Sequence, residues 1–329
     1  MHVNEKFEID YVDCSSLDSF AQCPFKYMLN RLMGIQKRES SMIALDYGKV
    51  IHECLPLCYN NDLETVQDKF DDLWASLPHG ETDKKRNTPC AHLMLENFWN
   101  NHQAENRAYE PLTLNIGNIN TSDKASEGEV PFLIDIGGLY PFAGRIDMPV
   151  KLNQTDTLWA LDYKTSGEVS ERFLNGFENH PQALGYTLAL SHLTQQKVSG
   201  FIVEAIRVAP IPKRPSTVPP NLWHPIYVPE HKMKWFIDWA CRLSSEIKSC
   251  NDTQDWPKNP TGCCPYSMFG MPGYFCKYKD ICNQPEEEWV EFLKYYERKE
   301  PWHPFNLKGD REDKTTLAPV TEKDTSLSP

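Results

Sequence analysis

Gly144-Arg145-Ile146-Asp147 and, fifteen positions beyond that aspartate, Asp162-Tyr163-Lys164-Thr165 decide how this chain is read. Each carboxylate closes a short apolar run, Leu139 to Ile146 and Thr157 to Leu161, of a length that suits a half-buried strand. Between them, Asn153-Gln154-Thr155-Asp156 has the composition of a hairpin turn. Strand alternation then puts Lys164 on the same face as Asp162, and both aspartates at one end of a shared sheet. Two carboxylates so placed can hold a hard cation such as Mg²⁺, and a neighbouring ammonium can orient water or steady a phosphate. That is the equipment for cutting a phosphodiester. An aspartate at a strand end and a lysine near a turn are also ordinary surface features, so the rest of the chain has to decide between the two readings.

Gly48-Lys49-Val50-Ile51-His52 lies in a stretch from Ile43 to Tyr59 whose apolar residues recur at helical spacing. Gly48 and His52, four apart, share a helix face. A glycine there permits close approach by another segment, and a neutral imidazole one turn later can serve as a further metal ligand. The competing reading is a buried histidine bonded to a carbonyl. His180-Pro181-Gln182-Ala183-Leu184-Gly185-Tyr186 opens a second helix, with Pro181 suited to its first turn. Gln182 and Tyr186 then form a polar edge suited to a phosphate or to the catalytic lysine, although an interfacial tyrosine explains the same letters.

The chain has eleven cysteines, and its start, Met1 to Asp13, lacks the apolar core of a secretory signal. A reducing cytoplasm is therefore expected, and clustered thiols point to metal rather than disulfides. Cys263-Cys264, Cys276 and Cys282 cluster in a Gly- and Pro-rich segment, and Cys23-Pro24 can supply a remaining ligand. Four thiolates can bind an iron–sulfur cluster or a structural Zn²⁺. The absence of Cys-x₂-Cys pairs favours the cluster. Cys14, Cys54, Cys58, Cys90, Cys241 and Cys250 are expected to pack as small hydrophobes.

Taken in order, Ser16-Leu17-Asp18 to Tyr27, Gly48 to His52, Gly144 to Asp147, Asp162 to Thr165, Gln182 to Tyr186 and the closing cysteines resemble the RecB-like branch of the PD-(D/E)XK nucleases. The pattern is similar to that branch's iron–sulfur members, the AddB-type helicase-nucleases and CRISPR-adaptation exonucleases, and to standalone phage or prophage proteins. The resemblance runs from about Ser15 to Cys282. It implies an α/β restriction-endonuclease-like core, a mixed sheet flanked by helices, with a helical cysteine-cluster cap. It implies His52, Asp147, Asp162 and the Tyr163 carbonyl as ligands of Mg²⁺ or Mn²⁺, and Lys164 as the residue that positions the attacking water. Gln182 and Tyr186 match the family's Gln-x₃-Tyr helix, and Glu129 an acidic position one strand earlier. Cys23, Cys276 and Cys282 match ligands of a [4Fe-4S] cluster, with Cys264 or Cys263 as the fourth. The implied activity is hydrolysis of DNA, single-stranded or from free ends, in replication, recombination or repair. The contrasting reading is a noncatalytic DNA-binding or assembly subunit that keeps the fold.

A formal charge of −12 argues against nonspecific coating of duplex DNA, so any nucleic-acid contact must be local. Lys213-Arg214 with Trp223, Trp235 and Trp239 offers such a lining, although Trp235 and Trp239 read first as core of an amphipathic helix. No apolar stretch approaches the length needed to span a bilayer. The organisation expected is an N-terminal helical segment (1–42), a nuclease core with a helical insertion (43–208), a helix and cysteine region (209–284) and a charged helix with a disordered tail (285–329). Within these lie helices at Ser16 to Met33, capped by Ser15 or Ser16, at Leu63 to Leu77, Ala91 to Tyr109, Pro181 to Leu193, Glu230 to Cys250 and Glu286 to Lys299. Strands are expected at Gly128 to Asp135, Leu139 to Ile146, Thr157 to Lys164 and Gly200 to Val208, with a Pro-rich surface loop from Pro210 to Pro229. Partners of this architecture include a second copy of the chain or a recombination or replication protein.

Overall fold

The computed structural model describes residues 6–37, 43–103, 105, 107–112, 114–116, 119–120, 129–212, 219–259 and 276–299. In chain order the helices are α1 (Cys14–Gln22), α2 (Pro24–Tyr27), α3 (Ile43–Cys54), α4 (Leu63–Ala75), α5 (Thr88–Asn101), α6 (Glu171–Asn175), α7 (Pro181–Thr194), α8 (Glu230–Thr253), α9 (Lys279–Cys282) and α10 (Trp289–Leu293). The strands are β1 (Ile35–Lys37), β2 (Tyr109–Pro111), β3 (Asn115–Ile116), β4 (Ile119–Asn120), β5 (Val130–Ile134), β6 (Phe142–Ile146), β7 (Met148–Leu152), β8 (Thr157–Ser166), β9 (Val198–Arg207), β10 (Asn221–Tyr227) and β11 (Tyr296–Arg298). Two compact units result: 1–37 with 131–144 and 241–329, and 38–130 with 145–240.

The second unit carries a five-stranded mixed sheet in the order β10-β9-β8-β7-β2. β8 and β9 run parallel, and their crossover includes α6 and α7; the other neighbours are antiparallel. One face of this sheet is covered by α3, α4 and α5, which bring Tyr47, Ile51, Phe70, Leu95 and Phe98 onto Val150, Trp159, Leu161, Ile202 and Ile206. The other face takes α7, which packs on β8 and β9 and buries Ala183, Leu184 and Leu190. Burial on both faces explains why β8 and β9 are nearly continuous apolar runs. The fold is thus the α/β core with a mixed sheet flanked by helices that a restriction-endonuclease-like chain requires.

The turn at 153–156 forms as its composition predicts, with Asp156 at φ 58°, a left-handed position that aspartate tolerates. Its first strand differs. β8 pairs with β7, Leu152 opposite Thr157 and Met148 opposite Leu161, and the run expected from Leu139 is a shorter β6 that pairs with β5. Asp147 stands at the bend between β6 and β7 rather than at a strand end before a turn. The segment read as a Pro-rich loop contains β10, whose Pro225 is tolerated because β10 is an edge strand. The helix expected to reach Tyr109 stops at Asn101, and Tyr109 opens β2.

In the first unit, α1 is capped by Asp13 and not by Ser15 or Ser16: Asp13 Oδ1 accepts from Ser16 N at 2.9 Å while Ser16 Oγ accepts from Asp13 N at 2.8 Å. Pro24 breaks the helix after Cys23, as the bend reading requires, and the chain continues through α2 into a π-helical turn at Met28–Leu32. The expected helix from Glu286 to Lys299 is instead a 3₁₀ turn, the five-residue α10 and β11, which pairs with β1. Gly34, at φ 65°, sits so close to the Lys299 carbonyl that a side chain there would collide with it. On α8 the buried stripe is Phe236, Ala240, Leu243 and Ile247, which leaves Trp235 53% exposed rather than in the core. No helix among the described residues is long and apolar enough to cross a membrane.

Candidate active site

Every described residue of the acid–lysine constellation lies in the unit that holds the five-stranded sheet. β8 is fixed between β7 and β9, so Asp162 and Lys164 leave the same face, toward α7, and Tyr163 leaves the other. Asp162 is almost wholly buried; its Oδ2 forms an ion pair with Lys164 Nζ, and its Oδ1 accepts from Gln182 Nε2 at 2.5 Å. Gln182 is delivered by the first turn of α7, which Pro181 initiates and His180 caps by accepting the Gln182 N–H at 3.2 Å. Asp147, at the bend, accepts the Tyr163 N–H on Oδ2 at 2.8 Å. His52 Nδ1, from α3, lies 3.6 Å from that same Oδ2, and its ring meets the Tyr163 ring edge-on at 6.0 Å.

α3 comes close to β8 because it carries Gly48. A Cβ there would sit 2.9 Å from Thr165 Oγ1, so the glycine is what lets the His52 helix lie against the Asp-Tyr-Lys strand. Tyr186, one turn after Gln182, packs its ring on Phe201 of β9 at 6.2 Å. Glu129 pairs with Arg145 at 2.9 Å, and its charge also helps to raise the pKa of Asp147.

Burial pushes both aspartates up to about 6. Lys164 and the Tyr163 N–H oppose the rise at Asp147. At Asp162 the Asp147 charge adds to it, while Lys164 and His52 oppose it. Two desolvated carboxylates whose raised pKa values show that the nearby Lys164 does not fully offset burial and repulsion fit a divalent cation. Asp162 Oδ2 is held by the Lys164 ammonium, which offsets part of the cost of burying the pair. Asp147, Asp162, the Tyr163 carbonyl and His52 are the groups that would hold such an ion. Among the described residues no three His, Cys, Asp or Glu side chains already converge as a metal-holding group.

The cysteine region lies in the other unit. Cys23 is buried and its Sγ accepts the Asn259 N–H at 3.5 Å. The preceding Lys258 donates from Nζ to the Cys282 carbonyl at 2.7 Å. Cys276 accepts the Lys279 N–H on its carbonyl. Cys263 and Cys264, and Lys213-Arg214, lie outside the described residues. Of the cysteines expected to pack simply, Cys14, Cys54, Cys58 and Cys90 are buried, and Cys241 and Cys250 are half-buried.

A group that the sequence reading passed over stands behind the site. Tyr59, Tyr109, His102 and Glu204 form a buried polar cluster joined to the Tyr163 hydroxyl. Its one signal in the sequence is Glu204, a lone acid in the apolar run Phe201-Ile202-Val203-Glu204-Ala205-Ile206, where a charge demands partners.

The family model of the PD-(D/E)XK nuclease superfamily matches residues 13–283, a span that contains every residue placed at the site above. Among solved structures, a candidate exonuclease from Eubacterium rectale is similar at 14% identity and a TM-score of 0.44, over 77% of this chain and 85% of that one. SSO0001 is similar at 15% identity and a TM-score of 0.35, over 86% and 90%. No curated protein matches the sequence. With a match that spans most of its length, the chain belongs to the PD-(D/E)XK nuclease superfamily.

Proposed function

We propose that this nuclease is a divalent-metal-dependent deoxyribonuclease of the RecB-like branch, acting on single strands or free ends of DNA. The observation that carries the reading is the meeting of Asp162 with Lys164 and Gln182, beside an Asp147 held by the Tyr163 N–H. A bound Mg²⁺ or Mn²⁺ would supply Lewis-acid charge at the phosphate and lower the pKa of water. The chain's own groups do the remaining work. Lys164 brings a positive charge to the place where negative charge builds on the phosphate, and its protons orient the attacking water. Gln182 fixes Asp162, and the Tyr163 N–H fixes Asp147, so that neither carboxylate has to reorganise when substrate arrives. Gln182 and Lys164 each take one lone pair of an Asp162 oxygen and leave others that could face a cation, and Lys164, beside that carboxylate, would lie within reach of the phosphate.

A [4Fe-4S] cluster on Cys23, Cys276, Cys282 and Cys264, or Cys263 in its place, belongs to the same proposal. Its support is that Asn259 N–H donates to the Cys23 thiol while the adjacent Lys258 donates to the Cys282 carbonyl. Visible absorption with iron and sulfide analysis tests it, and a colourless zinc-loaded protein would replace the cluster by Zn²⁺.

Digestion of end-labelled single- and double-stranded DNA with Mn²⁺ tests the catalytic reading, comparing intact protein with Asp162→Ala and Lys164→Ala. Loss in both variants supports it. Equal digestion by all three preparations rejects the site.

A further inference from the structure

On the face of β8 opposite Asp162 and Lys164, the Tyr163 ring enters the apolar cluster formed by α3, α4 and α5. Its hydroxyl nevertheless has a polar partner, Tyr59 Oη at 2.9 Å. Tyr59 Oη in turn lies 3.0 Å from Tyr109 Oη, which donates to Glu204 Oε2. Glu204 is fully buried, one strand over from Tyr163 and directly opposite it in the β8–β9 register. Its other oxygen, Oε1, accepts from Asn221 Nδ2 at 3.1 Å and faces His102 Nε2 at 3.2 Å.

The direction of this chain follows from valence. The Phe98 carbonyl can only accept, so His102 Nδ1, 2.8 Å away, carries a proton. His102 Nε2 lies 3.0 Å from Tyr109 Oη and 3.2 Å from Glu204 Oε1, so it closes the acid end of the chain. Tyr109 then donates to Glu204, Tyr59 donates to Tyr109, and Tyr163 donates to Tyr59. Burial holds the three phenols well above the ordinary tyrosine range, so all remain donors. Three hydroxyls ordered head to tail on one buried acid form a rigid strut.

We infer that the Glu204–Tyr109–Tyr59–Tyr163 chain is a positioning device for the metal-binding carboxylates, and that Tyr163 and Tyr59 are positioning residues of the nuclease. The reason is where Tyr163 sits. It is the residue between Asp162 and Lys164, its own N–H holds Asp147, and its ring meets His52. Anchoring its far end fixes the one peptide unit on which both carboxylates depend. Hydrophobic packing alone would bury a phenylalanine as well as a tyrosine, but would leave the strand free to shift along its own axis by the fraction of an ångström that matters to a metal site.

This inference rests on the nuclease reading, and its test separates the two. Tyr163→Phe and Tyr59→Phe keep the rings and remove single hydroxyls. In full-length protein carrying its native complement of metals, each is expected to lower kcat by about tenfold with KM for DNA unchanged. Each should also raise the Mn²⁺ concentration that half-saturates binding in calorimetry. The double variant should be no worse than the worse single, since both cut the same chain. Hydrogen exchange of the 157–166 strand in protein freed of divalent ions should be faster in both variants, a readout independent of turnover. Wild-type kcat and Mn²⁺ affinity in both variants, with only a lower Tm, would overturn the inference and leave the nuclease intact. Failure of the wild type to bind Mn²⁺ and to cleave would overturn both.

Discussion

Asp162 and Glu204 are buried acids on adjacent strands, facing opposite sides of one sheet, and they are supported in opposite ways. Glu204 has a donor on Oε2 and two nitrogens on Oε1, from three different elements. Asp162 has Gln182 on one oxygen and, on the other, an ammonium in ion-pair contact, with a second carboxylate nearby that raises its pKa. A buried acid with no like charge beside it rigidifies its surroundings; one crowded by a second carboxylate keeps free energy in reserve for a ligand that can relieve the repulsion. The same residue chemistry is thus used once to hold a strand and once, on the function proposed above, to receive a cation.

The sharpest way to break this contrast is to remove the charges in turn. Asp162→Ala or Lys164→Ala should lower the cleavage rate on the order of 10³-fold. Asp162→Asn should do the same to activity while leaving the metal-free protein as stable as wild type or more so, because a desolvated, repelled charge has gone. Thermal unfolding in chelator at neutral pH checks the second half; a large loss of Tm in Asp162→Asn would make that acid structural, like Glu204. Conversely, Glu204→Ala should cost about 3 kcal/mol or more in urea unfolding, since His102 and Tyr109 are left buried without their acceptor.

How far this pair of roles could be read from the sequence depends on the distance over which each is built. Asp162, Lys164, Gln182 and Pro181 sit in two local elements whose periodicity and capping are visible in the letters, and β8, α7 and the 153–156 turn appear where that reading puts them. Asp147 was legible as a residue but not in its setting, because β6 and β7 follow one another with only a bend between them and composition does not mark bends. The Tyr59–Tyr109–Tyr163–Glu204 cluster joins a 3₁₀ turn and three strands separated by up to 145 positions in the chain, and each tyrosine on its own looks like core. The final segment misled for a related reason: residues 286–299 have helical charge patterning, but the pairing of β11 with β1 outweighs that local preference. Trp235 misled more narrowly, as the buried stripe of α8 begins one residue later, at Phe236.

A smaller effect follows from pH. Asp147 and Asp162 are raised to about 6, so protons and a divalent ion compete for them across that range. Mn²⁺ affinity should be flat above about pH 7 and fall by roughly tenfold per unit for each proton displaced as pH drops below about 6. The metal-free protein should move the other way. Its folded state binds these protons more tightly than its unfolded state. It therefore gains stability as pH falls from about 6 toward the ordinary carboxylate range, and that gain is lost as pH rises through about 6. Calorimetry and thermal unfolding between about pH 5 and 8 read both trends. Affinity that did not change with pH would place the cation elsewhere than on these two acids.

The least disruptive probe is Gly48→Ala, and its small effect is informative because two terms oppose each other. Alanine in place of glycine in the middle of α3 favours the helix by up to about 1 kcal/mol. The new Cβ, however, would lie 2.9 Å from Thr165 Oγ1, a short β-branched side chain that cannot swing far, so α3 or β8 must give by a few tenths of an ångström. The displacement falls on the line that joins His52 to the Asp-Tyr-Lys strand and leaves the Glu204 cluster untouched. Expected, then, is a Tm within about 3 °C of wild type and a kcat lower by about threefold, with weaker Mn²⁺ binding to match. If kcat held while Tm fell, the close approach of helix and strand would belong to packing alone, and His52 would have no claim on the metal.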